Sequence, residues 1–125
     1  MTLPDVIQIE TTLLRELSIE GWRLGRAAEA APDAPYRATV LRVGRSISEI
    51  LAVCGVEIVD FAGRSYDPGL VPEVIDVREE PGLGEHEAVV EETVVPTLLL
   101  RGQVLERGQI VIKRAPRGPD GKAVQ

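Results

Sequence analysis

The sequence predicts an α+β protein: an N-terminal helical hairpin followed by a small antiparallel β-domain. Three observations carry this. Apolar residues recur at helical spacing up to Gly55. Beyond Gly55, β-branched runs alternate with Gly and Pro turn signals. Within the helical half, two prolines in Ala31–Pro35 disfavour a continuous helix and split it in two. The 125 residues then divide into a helical dimerisation region at 1–55, a β-domain at 56–114 and a Gly- and Pro-rich tail at 115–125 that is expected to be disordered.

The first helix is expected from about Asp5 to about Ala31. Pro4 and Asp5 suit a helix start, one as a rigid first-turn residue and the other as an acid near the positive dipole end. Val6, Ile9, Leu13, Leu17, Leu24 and Ala28 fall on one stripe. Gly21 and Gly25 weaken the middle of this helix by roughly 1 kcal/mol each relative to Ala, and their small size would admit a second helix closely. The second helix runs to Cys54. Val40, Val43, Ile47, Ile50 and Cys54 make a heptad-like seam, widened by Leu41 and Leu51. Gly55 would end it as a left-handed cap.

One hairpin leaves wide apolar faces uncovered, whereas two hairpins from two copies would close a four-helix bundle. Aromatic residues make up only 3% of the chain, so the core is aliphatic and small, and pairing would add to it. A homodimer is therefore expected, with Leu13, Leu17, Val40, Val43, Ile47, Ile50 and Leu51 at its interface.

The second half reads as five strands at Val56–Phe61, Val71–Arg78, Ala88–Val95, Leu98–Leu105 and Gln109–Lys113. Val71, Ile75 and Val77 would share one face. Asp67-Pro68-Gly69, Pro81 to Gly84, Pro96 and Arg107-Gly108 mark the turns.

The net charge of -6 disfavours a nucleic-acid partner, because an acidic surface repels a phosphate backbone. No stretch is apolar enough to span a membrane, and the N-terminus lacks the pattern of a signal peptide. With one cysteine, Cys54, no internal disulfide can form. A cytoplasmic location is expected.

Catalytic chemistry finds little to work with. His86 is the only histidine, in a polar Glu-His-Glu stretch. Adjacent acids at Glu79-Glu80 and Glu91-Glu92 would point to opposite faces of a strand. Ser65 lacks the second glycine of a nucleophile elbow. Gly82-Leu83-Gly84 precedes a strand and opens no helix, as a phosphate cradle would require. No zinc-ligand spacing is present. The expectation is a binding protein, with no enzyme activity, cofactor or metal. A pocket gathering His86 with two carboxylates would reopen the enzyme class.

Several short motifs follow one another in a telling order. Cys54-Gly55-Val56-Glu57-Ile58 ends the helices, and Gly63-Arg64-Ser65-Tyr66-Asp67-Pro68 follows. Val89-Val90-Glu91-Glu92, Gly102-Gln103-Val104-Leu105 and Ile110-Val111-Ile112 come after a variable acidic stretch. This order, over roughly Val40 to Lys113, resembles the C-terminal part of GrpE, the nucleotide exchange factor of DnaK-type chaperones. That family typically carries Gly-Val-Glu at the helix end, Gly-x-x-Phe-Asp-Pro, Val-Val-x-Glu, Gly-x-Val-Leu-Arg and a closing Val-x-Val strand. Here Tyr66 replaces the Phe, and Val71-Pro72-Glu73 stands where the family has His-x-Ala. Pro96-Thr97 stands near the family's Gly-Tyr turn, and Leu105-Glu106-Arg107-Gly108 replaces Leu-Arg-Pro-Ala.

The resemblance implies a homodimeric co-chaperone of protein folding and stress response. It would present its β-domain to the nucleotide-binding domain of a DnaK-type chaperone, favour the open cleft and promote ADP release. Arg64, Tyr66, Asp67, Pro68, Leu70, Arg101 and Arg107 are the candidate contact residues. For Tyr66 the structural reading is packing over the helix-to-sheet junction, and for Asp67 a bond to its own turn. The alternative is a dimeric adaptor on the same scaffold, with a changed partner and no exchange activity.

Overall fold

The computed structural model describes residues 2–117. Most of the expected tail lies outside the described residues. Its first residue, Ala115, is buried. The chain divides into two compact units, at 1–56 and 57–125. It is α+β, with two helices followed by two small sheets.

The first unit holds α1 (Thr11–Glu29) and α2 (Arg37–Val53). The helical periodicity of the sequence is realised in both. Gly55 takes φ +91 after α2 and donates its N–H to Ala52 O at 2.9 Å, closing the helix as its sequence position predicts. The start of α1 differs from expectation by six residues. Asp5 to Glu10 lie outside the helix, and Glu10 is its N-cap, in an extended conformation. The reason is burial. Val6, Ile7 and Ile9 are β-branched, so they lose side-chain freedom in a helix, and they are 81%, 78% and 53% exposed. A single chain offers nothing to offset the cost of ordering them.

The two helices run antiparallel and approach closely where their glycines meet. A Cβ on Gly21 would stand 3.1 Å from Ile47 Cγ2, and one on Gly44 would stand 3.9 Å from Gly25 Cα. Small residues therefore admit the second helix at this crossing. Ile47 faces α1, so a charge at this position would break the hairpin itself. Leu51 is already buried within the chain. Leu13, Leu17, Val43 and Ile50 remain exposed, by helical phase on one side of the hairpin.

The second unit contains β1 (Val56–Val59), β2 (Glu73–Glu79), β3 (Ala88–Val95), β4 (Thr97–Leu100), β5 (Gln103–Glu106) and β6 (Gln109–Arg114), with β1 beginning at the unit boundary. One sheet has the order β1-β4-β5 and the other β2-β6-β3. The stretch Leu98–Leu105 is not one strand, as expected, but the β4–β5 hairpin. Arg101 and Gly102 turn it with φ of +50 and +83, the two positive values that a tight two-residue hairpin needs.

The second sheet corrects the expectation of a wholly antiparallel domain. β6 pairs antiparallel with β3 but parallel with β2. Burial explains its place. Ile110, Val111 and Ile112 are all buried, so β6 takes the centre, where both of its edges are paired. β2 is charged and largely exposed, which suits an edge. Its expected face does not form either. Val71 precedes the strand, and an irregularity between Val74 and Asp76 breaks the alternation through Ile75. Val74 instead packs on the core of Val90, Ile110 and Ile112, beside Phe61, Tyr66 and Leu70.

Gly108 joins β5 to β6 at φ +88, and a Cβ there would meet Val95 O at 2.9 Å. Gly108→Ala is expected to cost about 2–3 kcal/mol of stability in urea denaturation, combining a left-handed penalty with backbone crowding. Gly25→Ala has open space around it and is expected to stabilise by up to about 1 kcal/mol in the same measurement.

Candidate functional site

The candidate residues of the turn after β1 are positioned by backbone pairing. Gly63 donates its N–H to Val90 O at 2.8 Å, Val90 donates to Arg64 O at 2.9 Å, and Tyr66 donates to Ala88 O at 2.8 Å. Ser65 and Val89 form an antiparallel bridge. The segment thus lies along the outer edge of β3 and occupies the hydrogen-bonding groups that an edge strand would leave bare.

The next residues close a compact turn. Asp67 Oδ1 accepts the Gly69 N–H at 2.7 Å, and Asp67 O accepts the Leu70 N–H at 3.1 Å. Asp67 therefore serves its own turn, as the structural reading of the sequence has it. Tyr66 is half-buried and packs on the core cluster, as does Leu70. The packing of Tyr66 is against Val90, Ile110 and Ile112 of the β2-β6-β3 sheet, where the sequence pointed to the helix-to-sheet junction. Arg64 is exposed, with its guanidinium 5.1 Å from the Phe61 ring centroid.

Two of the candidates stand apart from this turn. Arg101 is at the tip of the β4–β5 hairpin, in the other sheet. Arg107 Nε donates to Val71 O at 2.7 Å, and its own carbonyl accepts the Thr97 hydroxyl at 2.8 Å. Arg107 thereby tethers the segment leading into β2, and its guanidinium is in part committed to the backbone.

Backbone pairing also brings the turn against the loop before β3. Ser65 and Tyr66, with Gly84 to Ala88, line an open groove of about 450 Å³. A contiguous groove of about 260 Å³ is lined by Tyr66 and Pro68, by Glu85 to Ala88, and by Ile112, Arg114 and Arg117. The lining thus combines two acids, Glu85 and Glu87, two bases, Arg114 and Arg117, and the apolar Ile112. Glu85, Glu87 and Arg114 were not singled out in the sequence, where they read as ordinary loop and strand charges. For Glu85 and Glu87 the signal is their nearness in sequence to β3, the strand on which the turn docks; Arg114 reaches the groove only through its pairing with Ala88 across the sheet.

The groove gathers His86 with two carboxylates, Glu85 and Glu87. The three are consecutive on one loop, and all are exposed. An acid–base site draws its strength from groups held at set distances and withdrawn from water, and consecutive exposed side chains provide neither. Among the described residues, no group of three or more His, Cys, Asp or Glu stands where it could hold a metal ion. Glu91, one of the adjacent acids on β3, meets Arg78 at 3.2 Å. No helix among the described residues is long and apolar enough to cross a membrane.

No protein-family model matches the chain, and no curated protein matches it in sequence.

Tyr66 gives a test of the turn. Tyr66→Phe is expected to change unfolding free energy by less than about 0.5 kcal/mol, because the ring supplies the packing. Tyr66→Ala is expected to cost about 2–3 kcal/mol, below the range for a fully buried aromatic. Both values can be read from chemical denaturation.

Proposed function

We infer that the chain is a GrpE-like co-chaperone. Two copies pair through the helical hairpins, and the β unit binds the nucleotide-binding domain of a DnaK-type chaperone in the cytoplasm, promoting ADP release. The observation that carries this reading is the pairing of Gly63–Tyr66 with Ala88–Val90. Two motifs that resemble the family, more than twenty residues apart in sequence, become neighbours on one strand edge. A third, Ile110-Val111-Ile112, is the strand beside them.

The mechanism asks only for differential binding. A surface that fits the open nucleotide cleft better than the closed one shifts the chaperone towards opening, and ADP leaves from the open state. A ligand with equal affinity for both states would shift nothing. Arg64 and Pro68, exposed on the docked turn, and the walls of the groove are the surface offered for this contact.

A second reading has its own observation. Val71, where the match to the family lapses, is held by Arg107. The scaffold is thus maintained at the point of departure, as it would be in an adaptor with a changed partner.

Stopped-flow release of labelled ADP from the DnaK-type chaperone of the same organism separates the two. The co-chaperone reading predicts accelerated release, with Arg64→Glu lowering the acceleration at least about tenfold through lost or repelled contacts. No acceleration at saturating protein, together with capture of a different stable partner, would establish the adaptor reading. The dimer is tested by Leu17→Asp. Leu17 is 52% exposed in the single chain, so the charge is expected to leave the hairpin folded and to yield a monomer by sedimentation at micromolar concentration.

A further inference from the structure

The start of α1 is not where the sequence encodes a helix start. Glu10, its N-cap, makes no side-chain capping hydrogen bond, and the first turn holds no acid. The encoded start is upstream. Asp5 and Gln8 are spaced as a capping box, in which the N-cap side chain accepts the N3 backbone N–H and the N3 side chain accepts the N-cap backbone N–H. From there Val6 continues, in helical phase, the stripe of Leu13, Leu17 and Leu24, with Ile9 on its flank. Every one of these residues is at least 42% exposed. The apolar face of the hairpin and the face that residues 5–10 would add are therefore one continuous surface.

Charge indicates what covers it. The side chains of residues 5–29 sum to two negative charges, and those of α2 to two positive. In a bundle of two hairpins, each first helix borders its own α2 and that of the other copy, so opposite signs alternate around the ring. Within one chain this is only half satisfied. Arg42 and Arg45 are both exposed.

We propose that residues 5–10 fold onto α1 as further helix when a second copy covers this face, so that the dimer interface is longer than the hairpin seen in the single chain. The inference rests on the dimer in the proposed function and adds a folding step to it. Burial of Val6 and Ile9 against the partner provides what a lone chain lacks, and the Asp5–Gln8 cap fixes where the new helix begins. Amides 9–12 then gain carbonyl partners one turn upstream.

Glu10→Pro isolates the step. Glu10 has φ -65 and ψ 139, which proline adopts without strain, so the extended arm and the α1 start at Thr11 are preserved. A continuous helix through this position is not, because proline removes the N–H and clashes with the preceding turn. Glu10→Ala removes the same charge and permits the helix.

The experiment is sedimentation of the full chain over a concentration series, with hydrogen exchange on the same samples. The expected result is a dimer in which amides 9–12 are protected, with protection lost on dilution to monomer. Glu10→Pro is expected to weaken dimerisation at least about tenfold relative to Glu10→Ala, which is about 1.4 kcal/mol. A dimer with freely exchanging amides 9–12, or with equal affinity for the two variants, overturns the helix extension and leaves the dimer standing. A monomer at every concentration overturns both.

Discussion

The backbone hydrogen bonds that lay Gly63–Tyr66 along β3 are the constraint on which the β unit depends. They cover the outer edge of one strand and carry the Tyr66 ring to the core of Val90, Ile110 and Ile112. They also set the turn of Asp67 and Pro68 beside the loop at 84–88, which creates the groove. Without this docking, β3 would expose a bare edge, Tyr66 would lose its packing partners, and the turn would have no fixed neighbour. Both the packing of Tyr66 on the core and the groove beside the turn follow from one short stretch of pairing.

The helical unit rests on a different constraint, the close passage of two helices at glycine. Gly21 lowers helix propensity but leaves room for Ile47 at the crossing, where Gly44 lies against Gly25. The consequence is a division of apolar residues. Those at the crossing are used within the chain. Leu13, Leu17, Val43 and Ile50 are turned to one side and left exposed. A single chain leaves that face bare, and in the proposed reading a second copy covers it.

Much of this was legible in the sequence, and the exceptions have physical causes. The helices, the Gly55 cap and the Asp67 turn follow from local signals that the structure honours. The start of α1 was not legible, because Pro4 and Asp5 encode a local preference while helix formation at Val6 and Ile9 depends on burial. The β4–β5 hairpin was hidden because its turn uses Arg101 in a left-handed conformation, where Asn or Gly would have announced it. Strand period says nothing of strand order, so the central place of β6 and its parallel pairing with β2 emerged only from the fold. The groove was likewise out of reach, since it joins a turn and a loop through pairing between distant segments. Of the candidate contact residues, Arg64 and Pro68 remain exposed beside it, while Asp67 and Arg107 are engaged in holding the scaffold.

The central claim is that this surface distinguishes two states of a chaperone. The most direct measurement is the affinity of the full chain for the nucleotide-binding domain of the DnaK-type chaperone, by calorimetry, with the cleft empty and with ADP bound. The account predicts binding to the empty domain at least about tenfold tighter, a coupling of about 1.4 kcal/mol or more. Equal affinity for the two states, or no binding to either, would contradict it.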